Sequence, residues 1–139
     1  MAACAGNEHT ALLSQDGVVY VAGYNDSGQC GLGHTERVPQ LTPLEALRGK
    51  KRIALIHSAN GCEHLLCVTE EGELYSCGYS SRGQTGHGVA TQGIHVPRPV
   101  AALRAHKIKL VGCSYYHTLC ATDSDLCFAF GRCVLTVDI

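Results

Sequence analysis

The sequence predicts an all-β protein made of four-stranded antiparallel blades, which is part of a β-propeller. The 139 residues include 16 glycines and only 6% aromatic residues, a composition typical of short strands joined by tight turns. The chain also repeats itself, with a period of 55 residues between His9 and His64 (64 − 9) and 53 between His64 and His117 (117 − 64). This period is typical of propeller blades and exceeds that of most helical repeats.

The repeat is carried by equivalent positions in register. Gly6-Asn7-Glu8-His9 matches Gly61-Cys62-Glu63-His64, and Ser114-Tyr115-Tyr116-His117 begins a third copy. The repeat region covers residues 1–139, and its last residues, 133–139, are a divergent C-terminal end. The repeat cores span about residues 2–34, 53–88 and 108–132.

Each copy contains a predicted β-hairpin. Residues 9–14 and 18–23 are strand-length apolar runs around Gln15-Asp16-Gly17, and the other two hairpins follow the same pattern. Since these runs are apolar on both alternating faces, we expect sheets that are covered on both sides, as in a stack. The equivalent hairpins pair residues 65–69 with 74–78 and residues 118–122 with 126–130.

Further strands complete the units. Residues 1–5 look like the tail of a strand, while residues 53–58 and 108–113 precede the second and third hairpins. The proline-containing segments 38–47 and 94–103 add another strand and a connection. The total is about four strands per unit, as expected of a blade.

The recurring glycines are predicted to be structural, at turns with positive φ or at close backbone approaches. Their Gly-x-x-Gly-x-Gly order reverses the dinucleotide-binding fingerprint, and no Lys-Ser/Thr follows as a P-loop requires. No phosphate site is therefore expected. The glycines are Gly6, Gly17, Gly23, Gly28, Gly31, Gly33, Gly61, Gly72, Gly78, Gly83, Gly86, Gly88 and Gly131.

The nine cysteines are expected to be reduced thiols that act as small buried hydrophobic residues, because residues 1–9 carry no secretory signal. No Cys-x-x-Cys pair occurs and no two histidines have short ligand spacing, so no metal site is expected. Equivalent histidines on neighbouring blades should lie too far apart to share an ion. No nucleophile elbow is present either. We expect no catalytic residues and no cofactor.

The charge balance limits the partners. A formal net charge of −1 gives no basic surface for nucleic acid or for a membrane. No apolar run approaches the roughly 20 residues of a membrane span.

The expected location is the cytoplasm, with the nucleus as the alternative.

Glu8-His9 and Glu63-His64 are the sharpest functional candidates. A carboxylate beside an imidazole raises the pKa of the imidazole, and the pair could support acid–base chemistry. Adjacent residues at a strand entrance point to opposite sides, however, and Tyr116 replaces the acid in the third copy. The favoured interpretation is that each histidine bonds backbone in its own blade or the next.

The pattern Gly-x-x-His, Asp/Glu-Gly-x-x-Tyr-x-x-Gly-Tyr and Gly-Gln-x-Gly-x-Gly resembles the repeat of the regulator of chromosome condensation family, with two complete repeats and part of a third. The resemblance implies a seven-bladed propeller, of which this chain would be less than half a ring. The family commonly has Trp where Ala22, Cys77 and Phe130 stand. Residues 133–139 replace the expected glycine loop, which indicates a truncated form of a larger protein or an alternative end.

The resemblance implies a non-enzymatic protein–protein interaction module. Two alternatives are a guanine-nucleotide exchange factor for a small GTPase and a regulatory propeller segment of a HECT-type ubiquitin ligase. In the exchange-factor member of the family, the loop before the second strand lies on the face that meets the GTPase. Self-association through open blade edges is also expected of an incomplete ring. The candidate partner-contact residues are Glu8, His9, Glu63, His64 and His117.

Overall fold

Three antiparallel sheets stack side by side in the computed structural model, which describes residues 1–132. The all-β prediction is confirmed: the first two sheets have four strands each, and the third has three described strands. The divergent end at residues 133–139 lies outside the described residues. The first sheet contains β1 (Ala2–Ala5), β2 (His9–Leu13), β3 (Val19–Gly23) and β4 (Val38–Pro43).

The second and third sheets repeat the order of the first, with each strand beside its neighbour in sequence. A 3-10 helix at Ala101–Leu103 connects them, and no helix in the described residues is long and apolar enough to cross a bilayer. The second sheet contains β5 (Ile53–His57), β6 (His64–Thr69), β7 (Leu74–Ser80) and β8 (Thr91–Pro99). The third contains β9 (Ile108–Ser114), β10 (His117–Thr122) and β11 (Cys127–Gly131).

The central hairpin, β6–β7, shows why the sequence forms these elements. Its strands pair from His64 opposite Gly78 to Val68 opposite Leu74. The connecting turn is closed by the Gly72 amide, which donates to the carbonyl of Thr69 at 2.9 Å. Gly72 has a φ of +87°, a conformation that costs glycine little because it has no Cβ.

Side chains of β6 alternate between two separate hydrophobic cores. Leu65 and Cys67 belong to the core between the first and second sheets, while Leu66 and Val68 belong to the core between the second and third. All six residues of β6 are buried. The predicted covering of both faces is thus confirmed for the central sheet, and each sheet is one blade of the stack.

The glycine loops after β3 and β7 pack against the following blade. A Cβ added at Gly31 would lie 2.9 Å from Pro97 and 3.0 Å from Cys77, and one at Gly86 would lie 2.8 Å from the ring of Phe130. These loops therefore need glycine for close inter-blade packing. Gly6 has no positive φ and fits the other predicted role, a close approach, because a Cβ there would meet the ring of His9 and lie 2.7 Å from the carbonyl oxygen of Cys62.

The last strand of the central blade is longer than the sequence suggests. β8 begins at Thr91, three residues before the predicted segment, and continues to Pro99. It pairs with β7 through irregular register, with Ile94 opposite Gly78 and Thr91 opposite Ser80. Such irregularities bend a strand at the outer edge of a sheet, and apolar periodicity does not reveal them.

Candidate protein-interaction face

The two histidines of the Glu-His pairs lie inside the blade junctions. His9 is 3% exposed and its Nε2 lies 3.2 Å from Ser58 Oγ; His64 is 0% exposed and its Nε2 lies 2.9 Å from Thr118 Oγ1. Each histidine thus ties its blade to the next one through a hydroxyl group. The sequence predicted that each histidine would form a hydrogen bond with the backbone. In the structure each imidazole pairs with a side-chain hydroxyl instead.

The hydroxyl partners determine the histidine tautomer. Ser58 Oγ donates to the carbonyl of His64 at 2.9 Å, and Thr118 Oγ1 donates to the carbonyl of Gln84 at 2.6 Å. Since a carbonyl can only accept, each hydroxyl has used its single proton, and the Nε2 of each histidine must be the donor. Ser58 and His9 therefore do not form a nucleophile with its general base, which would require the opposite proton arrangement.

Burial overturns the expected rise in histidine pKa. Burial lowers the pKa of His9 to about 4. Burial, followed by the charges of His9 and His57, lowers the pKa of His64 to about 4. Both imidazoles are neutral at pH 7 and enclosed, so they position the loops from within and do not reach a docked partner.

The glutamates that precede these histidines are more exposed than the histidines. Glu8 is exposed and Glu63 is half-buried. Asn7 Nδ2 donates to Glu63 Oε1 at 3.4 Å and so joins the loops of the first and second blades. His117 is half-buried, with Nδ1 3.1 Å from Ser114 Oγ at the same rim. Glu8, Glu63 and His117 are thus the candidates within reach of a partner.

Exposed tyrosines surround these carboxylates. Tyr24 is 40% exposed and donates to Asp26 Oδ2 at 2.6 Å, a bond that raises the pKa of Tyr24. Tyr115 is 42% exposed, and the charge of Glu63 raises its pKa. We call this surface the loop face. Its residues are Glu8, Tyr24, Asp26, Glu63, Tyr79, Arg82, Tyr115 and Tyr116.

Arginines extend the loop face over the third blade. The guanidinium carbons of Arg82 and Arg132 lie 6.0 and 5.8 Å from the ring centroid of Tyr116. Tyr116 also packs on Tyr115, with ring centroids 4.4 Å apart. Tyr116 thus has neighbours from the second and third blades, and cations and aromatic rings lie together on this part of the face.

The tyrosines of the loop face were not among the candidate residues predicted from the sequence. Tyr24 and Tyr79 recur directly after Gly23 and Gly78, and this recurrence marks the repeat. The amides of Tyr24 and Tyr79 donate to the carbonyls of Glu8 and Glu63 at 2.8 and 2.7 Å. The same recurrence could have indicated that each tyrosine emerges beside an acidic loop residue.

Comparison with known proteins identifies the repeat. Residues 16–68 and 71–121 match the family model of the regulator of chromosome condensation (RCC1) repeat, and residues 2–29 match a second model of that repeat. The chain belongs to the RCC1 repeat family. The three sheets are therefore RCC1 blades, and the loop face lies at the entrance of their second strands.

Two relatives and one solved structure illustrate the family. The chain is 38% identical over 119 residues to the E3 ubiquitin-protein ligase HERC2 of Homo sapiens, covering 86% of the chain and 2% of that protein. It is 35% identical over 126 residues to the secretion-regulating guanine nucleotide exchange factor of Bos taurus, covering 91% of the chain and 26% of that protein. It thus spans a small part of each relative.

The solved structure supports the fold. Prp20p of Saccharomyces cerevisiae superposes with a TM-score of 0.80 at 24% identity, covering 94% of this chain and 32% of that one. The likeness therefore places all three described sheets in the blade architecture of an RCC1 protein.

Proposed function

We propose that this chain is a protein-interaction module that docks a protein partner through the loop face. The observation that carries the proposal is the pair of exposed tyrosines, Tyr24 and Tyr115, beside the carboxylates of Glu8 and Glu63. Tyrosine combines a large contact area with a polar tip and is enriched at interface hot spots. Loops on a rigid sheet scaffold are common places for binding.

The charges of the loop face indicate the chemistry of the partner. Glu8, Asp26 and Glu63 act on the Tyr24 hydroxyl, which makes the first two blades acidic at this rim. A lysine or arginine of a partner would meet both a carboxylate and an aromatic ring there. We therefore expect a partner that presents a basic segment, and we expect no catalysis by the chain itself.

Two more specific roles follow from the relatives. A relative named as a guanine nucleotide exchange factor supports exchange on a small GTPase as the second candidate function. Prp20p has been characterised for binding to Gsp1p and histones, and this supports a protein partner. The likeness to HERC2 supports a third role, as a regulatory propeller segment of a ubiquitin ligase.

A charge-reversal pair tests the proposal. Glu63 precedes β6 on the loop face, whereas the exposed Glu71 lies in the β6–β7 turn at the other end of the same hairpin. The ends of this six-residue strand are roughly 20 Å apart. We expect Glu63→Lys to reduce the recovery of cross-linked partners from cell extract about tenfold, and Glu71→Lys to leave it unchanged. Equal recovery with both variants would contradict docking through the loop face.

Nucleotide release separates the exchange-factor role from simple binding. Candidate GTPases loaded with fluorescent GDP are mixed with the native chain, with its Glu63→Lys variant or with its Glu71→Lys variant. Faster release with the chain, lost in Glu63→Lys but not in Glu71→Lys, supports exchange through the loop face. Binding without faster release supports the interaction module alone.

A further inference from the structure

Two cysteines and a histidine from neighbouring blades meet behind the loop face. Cys62 lies in the loop before β6, His64 is the first residue of β6, and Cys113 lies in β9 of the third blade. The two Sγ atoms are 2.9 Å apart. Both Sγ atoms and one ring nitrogen of His64 lie within 4.8 Å of one another. Cys62 and His64 are fully buried, whereas Cys113 is half-buried and leaves the cluster accessible from one side.

One nitrogen of the His64 ring has an unused lone pair. Its Nε2 donates to Thr118 Oγ1, as the proton of Thr118 goes to the carbonyl of Gln84. The proton of the neutral ring is thus on Nε2, and Nδ1 carries a lone pair. Nδ1 is buried and has no hydrogen-bond partner among the described residues. A buried acceptor without a partner is costly, and a metal ion would satisfy it.

We propose that Cys62, His64 and Cys113 form a binding site for a thiophilic divalent metal ion of the Zn²⁺ type. The two thiolates and the imidazole Nδ1 would supply three ligands, and a water molecule on the half-exposed side would complete a tetrahedron. Binding releases the two thiol protons to solvent, and the thiolates neutralise the dication. The bond from His64 Nε2 to Thr118 orients the ring, as outer-shell partners of metal ligands do.

The unpartnered nitrogen of His64 favours a metal ion over a disulfide, because the Sγ–Sγ separation lies between the values of the two arrangements. An Sγ–Sγ separation of 2.9 Å exceeds the roughly 2.05 Å of a disulfide bond. With Zn–S bonds of about 2.3 Å, two thiolates on a tetrahedral ion lie roughly 3.7 Å apart. A small rotation of the half-buried Cys113 side chain would provide this separation. A disulfide would also leave the lone pair of His64 Nδ1 without a partner.

The junction between the first and second blades is a natural comparison. There His9 also has an Nδ1 without a partner, but Asn7 stands at the position equivalent to Cys62, and the residue that contacts the imidazole from the second blade is Ser58 and not a cysteine. The thiols are therefore not a requirement of the RCC1 junction. The double substitution Cys62→Asn with Cys113→Ser removes both thiols and introduces residue types that the first junction already contains in Asn7 and Ser58.

The test is titration of the reduced full-length chain with Co²⁺ and then with Zn²⁺. We expect one Co²⁺ per chain with thiolate-to-cobalt absorption in the near ultraviolet, displaced by Zn²⁺, and an unfolding temperature raised by saturating Zn²⁺. Cys62→Asn/Cys113→Ser should weaken binding at least about 100-fold, since even outer-shell losses cost about 10- to 100-fold. Cys127→Ser, on β11, is the matched control and should bind as the native chain does.

Alkylation provides a second measurement that does not depend on a folded variant. Zn²⁺ should protect the half-buried Cys113 from iodoacetamide in the native chain and leave Cys127, which is also half-buried, as reactive as before. The proposal would be overturned by the absence of a thiolate band in the reduced, folded chain, or by an undiminished band in Cys62→Asn/Cys113→Ser. A Cys62–Cys113 disulfide in the Zn²⁺-treated chain would also overturn it.

Discussion

The buried histidines of the blade junctions make the fold sensitive to acid. His9 and His64 both have a pKa of about 4 in the folded chain, against about 6.5 in an unfolded chain. Between these values the unfolded chain binds more protons than the folded one. Their contribution to stability is therefore complete above about pH 6.5 and is lost as the pH falls to about 4.

We expect the urea midpoint of unfolding to fall steeply between about pH 6.5 and pH 4. Each histidine accounts for a loss on the order of 3 kcal/mol across this window. The double variant His9→Gln/His64→Gln should show a much shallower pH dependence. His95→Gln, at an exposed position of β8, is the control and should keep the native slope. An unchanged slope in the double variant would show that these imidazoles do not carry the acid sensitivity.

At the scale of single residues, the sequence identified the junction histidines but not their partners. Their recurrence after Gly-x-Glu marked them as special, and the alternation of a strand entrance indicated that the Glu and His side chains diverge. The partners, Ser58 and Thr118, are 49 and 54 residues away. Which hydroxyl faces which ring depends on how two sheets stack, and this is not visible in one strand.

The strands of neighbouring blades show how position in the stack determines burial. Leu66 on β6 and Leu119 on β10 occupy equivalent positions of the repeat, 53 residues apart (119 − 66). Leu66 is 0% exposed because the third blade covers it, whereas Leu119 is 58% exposed. The same residue type in the same place of a blade thus contributes very differently to stability.

This difference predicts unequal costs for the same substitution. Leu66→Ala should lower the free energy of unfolding by about 2–5 kcal/mol, because it leaves a cavity in the second core. Leu119→Ala should change it by less than about 1 kcal/mol. Chemical denaturation of both variants, at protein concentrations low enough to keep the chain monomeric, measures the difference. Similar costs would mean that the face of the third blade is covered in the native chain.

At the scale of elements, the period and the apolar runs were sufficient to predict the hairpins. The long-range features were harder, and the cluster behind the loop face is the clearest case. Cys62 and Cys113 are 51 residues apart in sequence and touch at 2.9 Å. Short ligand spacing in the sequence does not reveal this pair, because the stack of blades, and not a local motif, brings the two thiols together.

The described part of the molecule ends in an apolar sheet face. Leu110 and Leu119 are 67% and 58% exposed on neighbouring strands of the third blade. In a stack of blades this face is the one that meets the next sheet, and exposed apolar faces drive association. A second copy of the chain can cover it when no further blade does.

We expect the purified chain to self-associate in a concentration-dependent manner, measured by sedimentation velocity. Leu110→Lys/Leu119→Lys should shift it towards the monomer, because the lysines charge the exposed face. Leu41→Lys, at a 49% exposed leucine on β4, is the control and should associate as the native chain does. A monomeric native chain at all concentrations would contradict this expectation.

Docking of a partner on the loop face can be tested in cells. Its most direct measurement places a photo-cross-linking amino acid at Tyr115 on that face, or at Glu71 in the β6–β7 turn, and counts the cross-linked partner protein after irradiation in cells. We expect abundant cross-links from position 115 and few from position 71. Cross-links mainly from position 71, or equal yields from the two positions, would contradict it.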